Sequence, residues 1–225
     1  MHLRAPAILC ASRAHGESGA VIRLLTADHG MMAAYCAGAR GRRLRPVLIP
    51  GNVLDAEISA RSASQLPFVK VELVESRGPW LGEPLASAAI AWATALTATS
   101  LPEGHPYPAL YEALGGVLDA ICHAPSARGW SRALVAYEAL LLRELGYGGR
   151  VLAGGGGDPG DEWEAILERL QRMGMLLETR LFGDAGSGEI GGGRGVAGRG
   201  GDVMAARAIL IERLKRIAPT EQEKH

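Results

Sequence analysis

The residues with the most chemical potential are four arginines packed into a short stretch. Arg40, Arg42, Arg43 and Arg45 fall within six positions with no acidic residue between them. The segment follows a strand-like run and ends near Pro46 and Pro50, so it reads as a loop. Four guanidiniums held this close repel one another unless an anion is present. A polynucleotide backbone relieves that repulsion and releases counterions, a gain that depends on salt. The competing reading is a basic loop that is merely solvated. Arg23 and Lys70, carried by neighbouring strand candidates, and Arg13, just past the first, complete the basic set.

Other chemistry finds little support. The six histidines, at 2, 15, 29, 105, 123 and 225, are scattered, and adjacent Cys122 and His123 face different directions on a helix. No metal site and no cofactor is therefore expected. Gly154 to Gly157 precede Asp158-Pro159 without the Lys-Ser/Thr of a phosphate loop. No Gly-x-Ser-x-Gly elbow is present, and no nucleophile, base and oxyanion donors assemble. The expectation is a binding protein rather than an enzyme. Cys10, Cys36 and Cys122 are too few for a disulfide scaffold or a four-thiolate zinc site, and their apolar neighbours suggest buried thiols in a reducing compartment.

The elements that must position the arginines change character along the chain. Short runs at Ala7–Ser12, Val21–Thr26, Met31–Ala37, Val53–Ala60 and Phe68–Glu75 carry strand patterning bounded by Gly, Pro and Asp, which suggests a small barrel or sandwich. From Pro84 the period becomes helical: Leu85, Ala88, Ala89, Trp92 and Leu96 form one stripe. Tyr107, Leu110, Tyr111, Leu114, Leu118 and Ile121 form a second. A third comprises Trp130, Leu134, Tyr137, Leu141 and Leu145, with Ser126 as N-cap and Gly146 just past the end. Asp161–Leu181 is a further helix candidate, through Ile166, Leu167, Leu170, Met173 and Leu177. A last helix is expected from about Asp202 to Ile217, its stripe being Ala206, Ile209, Leu210 and Leu214. Nineteen of the 31 glycines lie between Gly146 and Gly201, so Gly154–Gly157 and Gly183–Gly201 read as flexible loops. The fold class expected is α+β, with residues 1–80 as the β-domain and 81–225 as the helical one.

Charge follows the same division. The 225 residues carry 24 basic and 24 acidic side chains, which excludes a globally basic, histone-like binder. Residues 1–80 hold ten Lys and Arg against six Asp and Glu, whereas 81–225 hold fourteen against eighteen. The excess of cations thus sits with the strands. The N-terminus lacks the apolar core of a signal peptide, and Leu85–Thr99 is too short to span a bilayer. A cytoplasmic protein without membrane contact is expected.

Two ordered sets of residues resemble a known family. Ala7-Ile8-Leu9, then Arg13-Ala14-His15-Gly16-Glu17-Ser18, then Val21 through Gly30, then Ala37-Gly38-Ala39-Arg40, look like the N-terminal signature of the RecO DNA-repair family. Tyr137-Glu138, Leu141-Leu142 and Glu144-Leu145-Gly146-Tyr147-Gly148 resemble its central helix and the Leu-Gly-Tyr end. The resemblance covers about the first 150 residues. It implies an N-terminal OB-fold, then a helical domain, in a recombination mediator that binds single- and double-stranded DNA and anneals complementary strands. It also implies work with RecR in loading RecA onto DNA coated by single-strand-binding protein, and hence association with the nucleoid during repair. The acidic, apolar-ended tail of single-strand-binding protein would dock on the helical domain, where Arg128, Arg132 and Arg143 flank Trp130. Many relatives carry four zinc-binding cysteines after the Leu-Gly-Tyr helix; here Gly149–Gly160 contains none. In the expected barrel only Tyr35 and Phe68 are aromatic, so base stacking is expected to be sparse and phosphate contacts to dominate. Two other readings stay open: a helical adaptor without DNA binding, and, more remotely, a small-molecule enzyme using an apolar helical pocket.

Overall fold

The computed structural model describes residues 2–60, 62, 65–148, 163–183 and 199–217, with side chains from 202 onward in the last segment. The expected glycine loops at 154–157 and 183–201 lie almost wholly outside these residues, as do the 149–160 stretch and the last eight residues.

Five strands form in the order the patterning predicts: β1 (His2–His15), β2 (Gly19–Thr26), β3 (Gly30–Cys36), β4 (Val53–Ser59) and β5 (Phe68–Glu75). They close into a barrel in the order β1-β2-β3-β5-β4, with β3 and β5 parallel and the other pairs antiparallel. This is the Greek-key closure of an OB-fold. β1 is longer than its apolar run because one strand serves two neighbours. Its first half pairs with β4 from His2↔Ser59 to Ile8↔Val53, and its second half with β2 from Ile8↔Leu25 to His15↔Gly19. The register slips between Leu9 and Ala11, making Cys10 the extra residue of a bulge. Such a bulge bends the strand and lets it turn the barrel corner. Burial pushes the Cys10 thiol up to about 12, against a smaller opposing pull from the Arg23 charge.

Alternation along the strands fills the interior. Leu9, Ile22, Leu24, Ala34, Leu54, Ala56, Ile58, Val69 and Val71 point inward and are buried together. Their outward neighbours are polar on β4 and β5, where Asp55 faces Glu72 and Glu57 faces Lys70 across the pair.

Five α-helices follow among the described residues: α1 (Pro84–Ser100), α2 (Pro108–His123), α3 (Ala127–Leu142), α4 (Trp163–Leu177) and α5 (Arg199–Lys215). The chain divides into two compact units, Met1–Leu118 and Asp119–His225. In the first, α1 packs on β1 and β2. It is buried on nearly every side, including Ala86, Ile90, Trp92, Thr94 and Thr97. The two threonine hydroxyls are satisfied by the Ile90 and Ala93 carbonyls at 2.8 and 2.7 Å. In the second unit, α3 packs against α4 and α4 against α5. Ser126 holds the N-cap position of α3 but makes no side-chain cap bond, and Gly146 takes φ +88° in the π-type turn Arg143–Tyr147 that ends it.

The stripe expected for the last helix needs one correction. Leu210 and Leu214 are buried, but Ile209 is half exposed and Ala206 only partly covered. The buried face is Val203, Arg207, Leu210 and Leu214. A charged residue completes it, because Arg207 Nη2 donates to Glu138 of α3 at 3.1 Å and to the Leu170 carbonyl of α4 at 2.6 Å.

Candidate nucleic-acid interface

The arginine segment is more ordered than an open loop. Between β3 and β4 the backbone winds through successive turns, with Gly41 N–H donating to Gly38, Arg45 to Gly41, and Leu48 to Leu44 at 2.9–3.0 Å. Its apolar residues interleave with its basic ones. Ala39 and Leu48 join the barrel core, and Leu44 and Val47 pack against it. Because those four turn inward, Arg40, Arg42, Arg43 and Arg45 are left exposed on the outside. The segment therefore covers part of the barrel while holding its guanidiniums in solvent.

Two tethers hold it. At its start, Arg40 N–H donates to the Ser18 carbonyl at 3.1 Å, and its guanidinium donates to the Glu17 carbonyl at 3.1 Å. Both acceptors belong to the turn between β1 and β2. At its end, the buried Asn52 amide donates to the carbonyls of Pro46 and Val47 at 3.2 and 2.9 Å, and its side-chain oxygen accepts from Arg77 N–H at 2.7 Å. Asn52 is a positioning residue that sequence reasoning missed. A lone asparagine after Pro50-Gly51 looks like any turn residue until its partners are known.

Among the described residues, none of the four loop arginines is paired with a carboxylate. The other basic candidates differ. Arg13 is exposed on the outer face of β1. Arg23 is largely covered, with Nη1 3.1 Å from Glu103 and Nη2 donating to the Leu101 carbonyl at 3.4 Å. Its guanidinium is thus already engaged, by the exposed Glu103 carboxylate and a backbone carbonyl. Lys70 is exposed but stands in an acidic setting, opposite Glu57 and two residues from Glu72.

That setting is a groove of about 290 Å³ beside β4 and β5, with Arg4, Arg43 and Lys70 as its cations and Asp55, Glu57 and Glu72 as its anions. Arg4 donates to Asp55 at 2.6 Å and lies 3.9 Å from Glu72, and His2 contacts Glu57 at 3.0 Å. The hydrogen bond from Arg4 holds the Asp55 carboxyl below the usual range. The His2 contact, with the charge of Lys70, does the same for Glu57. With Arg43 counted, the three cations and three anions of this groove balance, whereas Arg40, Arg42 and Arg45 are not among its lining residues.

In the helical unit, Trp130 is 4% exposed and belongs to the core with Leu134, Tyr137 and Leu141. Arg128 is half-buried, and Arg132 is exposed one turn further along. Arg143 lies about 16 Å farther along the axis, at 1.5 Å per residue, and contacts Glu144 at 3.4 Å. The helix thus groups Arg128 with Arg132 and separates Arg143 from both. Among the described residues no cluster of His, Cys, Asp and Glu could hold a metal, and no helix is long and apolar enough to cross a membrane.

Comparison with known proteins agrees with this architecture. Residues 1–77 match the family described as recombination protein O, N terminal, and residues 81–151 match recombination protein O, C terminal. The DNA repair protein RecO of Phenylobacterium zucineum is 38% identical over 149 residues, covering 66% of this chain and 60% of that protein. The RecO proteins of Ruegeria sp. and Rhodospirillum centenum are 40% identical over 149 residues and 39% over 143, covering 66% and 63% of this chain and 61% and 56% of theirs. The chain thus spans about three-fifths of the length of the curated relatives it matches. With a closed five-stranded barrel under the first match and helices under the second, this chain belongs to the RecO family.

Proposed function

We propose that this chain is a DNA-repair and recombination mediator without catalytic turnover, whose barrel binds and anneals DNA. The observation that carries the reading is the row of exposed guanidiniums on the β3–β4 turns, held outward by Ala39, Leu44, Val47 and Leu48 and left without carboxylate partners among the described residues. Phosphates supply the missing anions, with Arg40, Arg42, Arg43, Arg45 and Arg13 as the contacts. Lys70 adds to them at the edge of the acidic groove, and Arg23 is left to its internal partners. The functional division runs at residue 80, with nucleic-acid binding before it and a partner-facing helical part, 81–225, after it. There, Arg128 and Arg132 are the first residues to test for docking of the tail of single-strand-binding protein, with Trp130 supporting their helix from the core. Cooperation with RecR in loading RecA, in the cytoplasm and at the nucleoid, completes the role that family membership supports.

Fluorescence anisotropy with a labelled oligonucleotide at two salt concentrations tests the reading. Binding that weakens steeply with salt is expected. Association with RecR or single-strand-binding protein without DNA binding at low salt would replace it with the adaptor reading.

A further inference from the structure

Three rings stand in line on the outside of the barrel. His15 ends β1, Tyr35 lies near the end of β3, and Phe68 opens β5. The His15 and Tyr35 centroids are 5.9 Å apart with planes at 79°, and those of Tyr35 and Phe68 are 5.5 Å apart at 86°. Backbone register explains the alignment. Arg13 is opposite Val21, Val21 opposite Tyr35, and Tyr35 opposite Phe68, so one row crosses four strands on a single face. Tyr35 can lean over β2 because Gly19 has no side chain; a Cβ there would collide with the ring. Phe68, 59% exposed, leaves most of its ring to solvent.

The cations sit at the same end of the strip. Arg13 heads the row, and Arg40 is moored to the Glu17 and Ser18 carbonyls immediately before Gly19. The turn's one carboxylate is Glu17, which is exposed. Apolar ring surface beside unbalanced guanidiniums fits a ligand with flat apolar faces on an anionic spine. Unpaired bases offer such faces, whereas in a duplex they are covered by each other.

We propose that His15, Tyr35 and Phe68 form a base-stacking strip that takes unpaired bases of single-stranded DNA, so that the barrel prefers single strands to duplex. The proposal rests on the reading that the barrel binds DNA, and it assigns the arginines to the phosphates and the rings to the bases.

The test uses the full chain and three probes of equal length: oligothymidine, an abasic phosphodiester and a duplex. The variants are Phe68→Ala and Phe68→Trp, chosen because the side chain is exposed enough for the fold not to depend on it. The unsubstituted chain should bind oligothymidine about tenfold or more tighter than the abasic strand. Phe68→Ala should lose roughly five- to a hundredfold on oligothymidine, with abasic and duplex binding unchanged. Phe68→Trp should retain affinity, and the added indole's emission should be quenched by oligothymidine. If Phe68→Ala binds oligothymidine as tightly as the parent, or weakens all three probes equally, the strip is wrong while the arginine surface stands. If the parent binds none of the probes at low salt, DNA binding by the barrel fails and the strip with it.

Discussion

Arg207 of α5 and Glu138 of α3 form an ion pair at 3.1 Å, and their side chains are 6% and 0% exposed. The Leu170 carbonyl of α4 accepts from the same guanidinium nitrogen, so one side chain links three helices. Breaking such a pair from one side leaves a charge buried without its counterpart. Arg207→Met should destabilise the protein by about 3–5 kcal/mol in urea unfolding, whereas Arg207→Met with Glu138→Leu should recover most of that loss. A double variant no more stable than the single one would show that the pair is not what holds the three helices.

Gly174 lies under the same guanidinium, where a Cβ would collide with Arg207 Nη1. Replacing a helical glycine by alanine ordinarily stabilises by up to about 1 kcal/mol. Here the sign should reverse. Arg207 is held by Glu138 and Leu170 and has little room to withdraw, so Gly174→Ala should cost roughly 1–3 kcal/mol, as overpacking does. Thermal melts of this variant and of Gly174→Ala with Arg207→Met would show whether the clash is responsible.

Removing Arg40, Arg42, Arg43 and Arg45 together, each to Ala, should weaken DNA binding to a similar degree whatever the base sequence. The slope of log affinity against log salt should fall by up to about 3 for a single strand, at roughly 0.7 for each phosphate no longer neutralised. Leu44 and Leu48, which anchor the turns, remain, so circular dichroism should be unchanged. An unaltered affinity at low salt would refute this surface.

Asn52→Ala removes two donors from the Pro46 and Val47 carbonyls and an acceptor from Arg77 N–H. A stability loss of about 1–3 kcal/mol follows from leaving buried groups unbonded. The same change should weaken DNA binding, because it frees the end of the segment that presents the arginines. Hydrogen exchange at residues 44–48 would report the loosening directly.

Asp55 and Glu57 contribute a pH dependence whose sign is fixed. Each carboxyl titrates below its usual value, Asp55 through the hydrogen bond from Arg4 and Glu57 through that from His2. Their contribution is therefore present at neutral pH and lost as pH falls through the lowered folded values. The groups are solvent-accessible, so the effect is small. Asp55→Asn should flatten the acid limb of stability against pH and leave the neutral region nearly unchanged; an unaltered acid limb would show that the Arg4 contact contributes nothing.

Much of the fold was legible because burial on one face leaves a period in the sequence. Period-2 runs announced β4 and β5, and period-3.6 stripes announced α1 through α4. The arginine cluster was visible because it is local: four like charges fall within six positions. The readings that changed depend on what lies across a strand pair or between helices. Ile209 looks like a core residue of α5, and Arg207 looks like its surface, until Glu138 is found opposite Arg207. Arg23 looks as available as Arg13 until Glu103, 80 residues away, is found beside it.

The amino-acid sequence by itself determined the strands-then-helices order and the placement of positive charge near the strands, which follow from composition and local spacing, and its ordered motifs carried the resemblance to the family, which implied the barrel. None of these requires knowing what is far along the chain. Tertiary structure alone decided which cations remain unpaired and that His15, Tyr35 and Phe68 stand together. Pairing across strands is set by register and chain closure, and closure brings residues 15, 35 and 68 to one face although no local pattern links them.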